Sequence, residues 1–243
     1  MLRDFCLKPY RLAITAALAV CFLFSPLTRV SADTALSGTA SSSPTSLQSL
    51  VSFTRSVENG RSSQLVGVYS PNVLSFPVVQ QPSGNAAYVS TSANVLTQFS
   101  AASQYGSTGL LAHNTLAGAN FYSLKTGDVI SVIYGDGSID LFRINQIQMY
   151  QALDPYSPYS NFVDLSNPGV QLSSTDLFYR TYGLGNVLIL QTCLSKNGND
   201  SWGRTFVIAS PLNGNPADYY KTFGYGKVSG KITPRSVSLG AKY

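Results

Sequence analysis

Residues 187–210 read Val-Leu-Ile-Leu-Gln-Thr-Cys (187–193), then Leu-Ser-Lys-Asn-Gly-Asn-Asp-Ser-Trp-Gly (194–203), then Arg-Thr-Phe-Val-Ile-Ala-Ser (204–210). Two short runs rich in β-branched and aromatic residues, separated by a polar segment with glycines, are two strands and the loop that joins them. The pattern repeats upstream in LVGVY (65–69), VLSFPVV (73–79), VISVIY (129–134), IDLFRI (139–144) and QIQMYQAL (146–153). Tyr134-Gly135-Asp136-Gly137-Ser138 between two of these runs is a hairpin signal, because glycine and Asp-Gly accept positive φ at low cost. Helical spacing is expected at Ala93–Ser103, where Val95, Phe99 and Ala102 recur every three to four residues, and in a short piece at Thr175–Tyr179 capped by Ser174 or Thr175. Many short strands and few helices point to an all-β chain, a closed or nearly closed barrel, with no internal repeat.

The chain has 243 residues, 44% of them hydrophobic and 11% charged, enough for a full core. Its N-terminus carries Arg3, Lys8 and Arg11, an apolar run from Leu12 to Phe24, and the small-residue exit Val30-Ser31-Ala32. This reads as a secretory signal peptide over 1–32, with an uncleaved anchor as the alternative. A bilayer span needs about 20 apolar residues, more than this run supplies. Residues 33–50 are small and polar and read as a Ser/Thr/Ala-rich linker, 51–211 as the folded domain, and 212–243 as a basic tail.

Cleavage after Ala32 removes Arg3, Lys8, Arg11, Arg29 and Asp4, so the net charge falls from +5 to +2 and gives no support for binding nucleic acid. What basic excess remains is in the tail, at Lys221, Lys227, Lys231, Arg235 and Lys242, where weak contact with anionic wall polymer or membrane competes with a simple solvated end. Cys6 and Cys21 leave as well. The remaining chain has one cysteine, Cys193, and one histidine, His113. A zinc site built on two histidines is therefore excluded, as is a proton relay between two imidazoles. A lone cysteine is a buried thiol, half of an intermolecular disulfide, or a nucleophile. Cys193 and His113 are each expected where an apolar run breaks into a loop, and Arg204 where the next run opens.

Together these residues resemble the sortase family. The run Leu188-Ile189-Leu190-Gln191-Thr192-Cys193 with Arg204 eleven residues on is similar to its T-L-x-T-C signature and strand-opening arginine. His113 followed by Phe121-Tyr122-Ser123-Leu124 and Gly127-Asp128-Val129-Ile130 is similar to its catalytic histidine, F-x-x-L pair and G-D-x-I run. The resemblance covers about residues 65–211. It departs from the family at Ile189, where a threonine usually stands, and in residues 98–112, which hold no Asp or Glu and so lack the acidic cluster with which some sortases bind calcium. Residues 154–173 make a longer connection than the minimal one, which implies a different peptide preference.

The resemblance implies a closed β-barrel of about eight strands with one or two short helices. It also implies a secreted or extracytoplasmic cysteine transpeptidase. Cys193 is then the nucleophile that forms a thioacyl intermediate with a sorting-signal peptide, and His113 is the general acid and base. Arg204 donates to the oxyanion or the substrate backbone. Thr192, Asn114, Tyr156, Tyr159 and Phe162 become candidate substrate-binding residues. No cofactor or metal is required. The expected partners are a protein bearing a sorting signal and an amine acceptor on the cell wall or on another protein. Two alternatives remain open: the same fold releasing the acyl group to water as a hydrolase, and a non-catalytic barrel that binds through its tyrosine-rich loops.

Overall fold

Strand β9 (Leu188–Lys196) is buried without a break from Leu188 to Cys193, whereas β2 (Leu74–Gln80) alternates buried and exposed over its first five residues. A strand covered on both faces shows a continuous apolar run, and one with a wet face alternates. The computed structural model describes residues 46–222 and 233–234, which fall in one compact unit of the chain. The expected signal segment 1–32, most of the linker, and Lys227, Lys231, Arg235 and Lys242 of the tail lie outside the described residues.

The order β10 (Asn199–Leu212), β9, β4 (Thr108–Leu111), β3 (Leu96–Phe99), β2, β1 (Leu65–Ser70), β5 (Val129–Tyr134), β6 (Ser138–Ala152) closes on itself, because β6 also pairs with β10. The chain is thus an eight-stranded closed β-barrel. Neighbours are antiparallel except β2 with β3 and β4 with β9. Leu96, Leu110, Leu190, Val207, Ile130 and Phe142 fill the interior. The sheet continues past β6 into two short strands, β7 (Phe162–Asp164) and β8 (Gln171–Leu172), and β11 (Thr233–Pro234) pairs with the start of β6.

Two coverings pack on the outside of the wall. Helices α1 (Ser46–Val57) and α4 (Pro216–Thr222) bring Leu50 and Tyr220 against Val66, Tyr69, Val129 and Ile133. Helix α3 (Ser174–Tyr182), with β7, brings Leu177, Tyr182 and Phe162 against Phe99, Ile189, Cys193, Phe206 and Ile208. The Ser173 hydroxyl accepts from the Asp176 amide, and the Asp176 carboxylate accepts from the Ser173 amide, so a capping box starts α3.

Several expectations change. The helix over Ala93–Ser103 is instead strand β3 followed by α2, one turn at Ser100–Ser103. The slot between β2 and β4 needs a strand, and Leu96 filling the barrel while Phe99 fills the outer cluster outweighs an accidental helical spacing. The helix expected at Thr175–Tyr179 runs Ser174–Tyr182 with Ser173 as its cap, and the 139–144 and 146–153 runs are one continuous strand, β6. Described helices exceed the one or two expected: α1 starts inside the stretch read as linker, and α4 lies in the stretch read as tail, with Tyr220 fully buried. The hairpin at Tyr134–Ser138 is present, with the Gly137 amide donating to the Tyr134 carbonyl.

Candidate active site

Arg204 lies directly opposite Cys193 in the antiparallel β9–β10 pair. Directly opposed residues share a face of the sheet, and both belong with the outward set of Ile189, Phe206 and Ile208. On the other edge of β9 the parallel pairing with β4 aligns Leu110 with Leu190 and Leu111 with Gln191. The Ala112 amide extends it by donating to the Gln191 carbonyl at 3.2 Å. Carried two residues past Leu111, the same register puts His113 opposite Cys193. Neighbouring strands are about 5 Å apart. Cys193 and Arg204 therefore share one rung of β9 and β10, and the single histidine lies two residues past the end of β4, on the line of that rung.

The local sequence explains why the chain holds this rung. Thr192 faces the barrel interior, and its hydroxyl donates to the Ala112 carbonyl at 2.9 Å, pinning the end of β4 to the residue before Cys193. After His113 the chain turns back: the Leu116 and Gly118 amides both donate to the His113 carbonyl at 3.0 Å. A 3-10 helix, Ala117–Ser123, then packs on β9. A Cβ at Gly118 would stand 2.2 Å from the Thr192 hydroxyl oxygen and 2.7 Å from the His113 carbonyl oxygen, so only glycine allows this approach. From that helix the Tyr122 phenol donates to the Cys193 carbonyl. Burial pushes the Tyr122 phenol above its ordinary pKa; the buried Thr205 hydroxyl, which makes no hydrogen bond of good geometry, is near enough to offset part of the rise.

Arg204 is 4% exposed and stays cationic at neutral pH, although burial pulls its pKa down to about 10. One guanidinium nitrogen donates to the carbonyls of Ser201 (3.1 Å) and Gly203 (2.8 Å), and the guanidinium carbon lies 5.9 Å from the Phe162 ring centre. Keeping a cation buried in this way costs on the order of 3 kcal/mol relative to a solvated one. An arginine held at that cost is a functional candidate. The Cys193 sulfur is in a disulfide, so thiol chemistry concerns the reduced residue; the other cysteines, Cys6 and Cys21, lie outside the described residues. No group of three or more His, Cys, Asp or Glu among the described residues can hold a metal.

Of the three expected rim positions the structure keeps one: His113 follows the end of β4, where the chain breaks into a turn. Cys193 is mid-strand in β9, and Arg204 is mid-strand in β10. Asn197 (φ 52°) and Gly198 (φ 77°) form a two-residue Asn-Gly turn, so most of the polar segment 194–203 is strand and the hairpin continues well past the rung. Of the five candidate substrate residues, Thr192 points away from Cys193 into the barrel. The Asn114 side-chain amide is used within the chain, donating to the Ser195 hydroxyl at 2.6 Å and the Asp200 carbonyl at 3.0 Å. Phe162 is 2% exposed and lies against Arg204. Only Tyr156 and Tyr159, in the loop between β6 and β7, are open to solvent. Sequence reading missed Tyr122, since the phenol meets a backbone carbonyl and no spacing rule marks such a contact.

No family model and no curated protein matches the chain. Among solved structures it is similar to sortase C1 of Streptococcus agalactiae, at 15% identity and a TM-score of 0.39 over 69% of this chain and 77% of that one. It is also similar to a lid mutant of sortase A from Corynebacterium diphtheriae, at 14% identity and a TM-score of 0.41 over 71% and 82% of the two chains. Sortase C from Clostridium perfringens SM101 gives 13% identity and a TM-score of 0.37 over 69% and 90%. Likeness at this level says nothing of a reaction, which has to be read from the residues themselves.

Proposed function

We propose that this protein is a cysteine transpeptidase of the sortase type, acting outside the cytoplasm. The observation that carries this reading is the shared rung: Cys193 and Arg204 opposed across β9–β10, with His113 next along the β4 register. A thiolate is the strongest side-chain nucleophile near neutral pH, yet an unperturbed thiol of pKa about 8.5 is only a few per cent ionised there. An imidazolium on one side and a guanidinium on the other raise that fraction.

The Cys193 thiolate attacks a backbone carbonyl of the sorting peptide, and the carbonyl π electrons move onto oxygen. Arg204 donates to that oxyanion, a contribution worth about 3 kcal/mol for one good donor. Collapse expels the amine, which takes a proton from His113, and leaves a thioester on Cys193. The incoming amine then gives its proton to His113 as it attacks the thioester, and the thiolate is regenerated. Arg204 stays protonated throughout, as its pKa of about 10 requires. The exposed Tyr156 and Tyr159 are the residues of the 154–173 connection available to contact the peptide. The amine acceptor belongs to the wall or to another protein.

The test is to incubate the reduced protein with a library of sorting-type peptides, with and without an amine acceptor, and read the products by mass spectrometry. An acyl adduct on Cys193 and an amine-dependent ligated product are expected. Cleavage with no ligated product at high amine replaces the transferase with a hydrolase. A Cys193 that forms no adduct and reacts with a thiol probe no faster than a cysteine peptide overturns both in favour of a binding module.

A further inference from the structure

The β4–β9 ladder stops at a particular place. In a parallel pair, alternate carbonyls of one strand point to the same neighbour, so the Gln191 carbonyl, which accepts from the Ala112 amide, and the Cys193 carbonyl both face β4. The next rung would bring the Asn114 amide to the Cys193 carbonyl. The chain has left the sheet by then, because His113 enters the turn closed by the Leu116 and Gly118 amides, and the Asn114 side chain reaches on to Ser195 and Asp200. At that rung the donor is the Tyr122 phenol.

We infer that Tyr122 is a positioning residue for the nucleophile: its phenol replaces the missing β4 amide at the Cys193 carbonyl and fixes the peptide plane from which the sulfur projects between His113 and Arg204. The inference rests on the transpeptidase reading for its consequence in turnover, but not for its consequence in thiol reactivity. Where the ladder ends, the carbonyl of the reacting residue takes its bond from the Tyr122 phenol. A phenol donates as a backbone amide does, and it comes from the 3-10 helix that Gly118 sets against Thr192, so one short segment both follows the acid/base residue and secures the nucleophile. Phenylalanine at this position would keep the ring and lose the bond.

The experiment compares the reduced full chain with its Tyr122→Phe variant, using Tyr105→Phe, an exposed tyrosine bonded to Tyr179 and not to β9, as a control. The alkylation rate of Cys193 by iodoacetamide is followed against pH, alongside the thermal midpoint and, with peptide and amine, kcat and KM. In Tyr122→Phe the midpoint of the alkylation profile should move by about one unit toward that of a free cysteine, near 8.5. The kcat should fall about tenfold with KM within about twofold, the loss expected of a bond that aligns the nucleophile and does not bind substrate. A role in stability alone would lower the thermal midpoint and leave the alkylation profile where it was. A Tyr122→Phe profile that superimposes on the parent's overturns the inference, whether or not the protein turns over. A parent that forms no acyl adduct overturns the transpeptidase reading, and the alkylation profiles still decide the role of Tyr122.

Discussion

The barrel wall has two outer coverings of similar build and different chemistry. The α1/α4 layer buries Leu50, Val66, Tyr69, Val129, Ile133 and Tyr220 with two small polar features, the Thr54 hydroxyl and a contact between the Tyr220 and Ser131 hydroxyls at 3.0 Å. The α3/β7 layer buries a comparable apolar cluster together with Cys193, the Arg204 cation, Asp164, and a Gln191–Tyr182 hydrogen bond of 2.6 Å. Polar groups under a covering cost stability unless each is partnered, and a covering needs none of them to close a barrel. The first layer shows how this chain covers a wall when only stability is at stake. The second carries buried polar groups that the packing does not require, among them the Cys193–Arg204 pair of β9 and β10.

Substitutions in the two layers should accordingly separate activity from stability. Cys193→Ala and His113→Ala are expected to abolish amine-dependent ligation while the thermal midpoint stays within a few degrees of that of the reduced parent. Leu50→Ala in the other layer should do the reverse, costing about 2–5 kcal/mol of unfolding free energy and leaving kcat per folded molecule unchanged. Denaturant unfolding and single-turnover assays on the same preparations check both. Ligation that survives Cys193→Ala would end the mechanism.

Arg204 comes next in expected effect. Arg204→Lys keeps the charge but loses the planar guanidinium, one nitrogen of which donates to Ser201 and Gly203, so ligation should fall by about 10²–10³-fold. Its pH dependence can be read from burial. The folded pKa, about 10, is below the unfolded one, so the folded state releases this proton first. The penalty of the buried cation is fully present below pH 10 and is relieved as pH rises from there toward the unfolded pKa. Activity should run the other way, with a descending limb centred near pH 10 as the oxyanion donor loses its charge. A pH–rate profile for kcat on the parent, with that limb moved in Arg204→Lys, is the measurement.

Much of the rung could be read from the sequence, because scarcity did the selecting: one histidine and one cysteine outside the N-terminal segment leave few ways to build a cysteine-based site. The strands around it were legible for the ordinary reason that β-branched runs between turn residues form sheets. Strand ends were not. The polar residues after Cys193 look like a loop until Asn197-Gly198 is recognised as a two-residue turn, and with that the supposed rim position of Cys193 disappears. The direction of Thr192 follows from strand alternation, since it is one residue from Cys193 and so faces away. The burial of Phe162 could not have been anticipated, because it depends on β7 pairing with the end of β6 and laying this ring against Arg204, from a connection whose composition suggests only an exposed aromatic loop. Ala93–Ser103 failed for the opposite reason: its spacing satisfied a helix, but the sheet had a vacant slot.

A smaller effect is expected at Tyr182, which is fully buried and holds its phenol well above the ordinary pKa because burial disfavours the phenolate. A pKa raised on folding gives stability that is present below pH 10 and is lost as pH rises through the folded value. Tyr182→Phe removes the donor to the buried Gln191 side-chain oxygen and should cost about 1–3 kcal/mol at neutral pH, the price of an unsatisfied buried acceptor. It should also flatten the alkaline fall of the thermal midpoint. Gln191 is two residues before Cys193 on the same face of β9, so a change in kcat beyond about threefold would mean that this bond serves the Cys193–Arg204 pair as well as the packing.

The smallest effect is expected where the α3/β7 layer meets solvent. Burial pushes the Asp164 carboxyl up, but the Ser166 hydroxyl and amide, the Arg180 guanidinium at 3.3 Å and the Asn167 amide together outweigh it, and the carboxyl ends below its ordinary range. A lowered folded pKa gives stability present above the unfolded value, near 3.8, and lost as pH falls through the folded one. The partners differ in worth. Arg180 is 44% exposed, so water screens its charge, and Arg180→Ala should cost less than about 1 kcal/mol at neutral pH. The Ser166 bonds are short and local, with the hydroxyl at 2.6 Å and the amide at 2.9 Å, and they survive that substitution. Acid unfolding should therefore move only slightly toward neutral pH in Arg180→Ala and clearly more in Ser166→Ala, which loses the hydroxyl. The opposite order would mean that the exposed ion pair, and not the turn at Ser166, anchors β7 over Arg204.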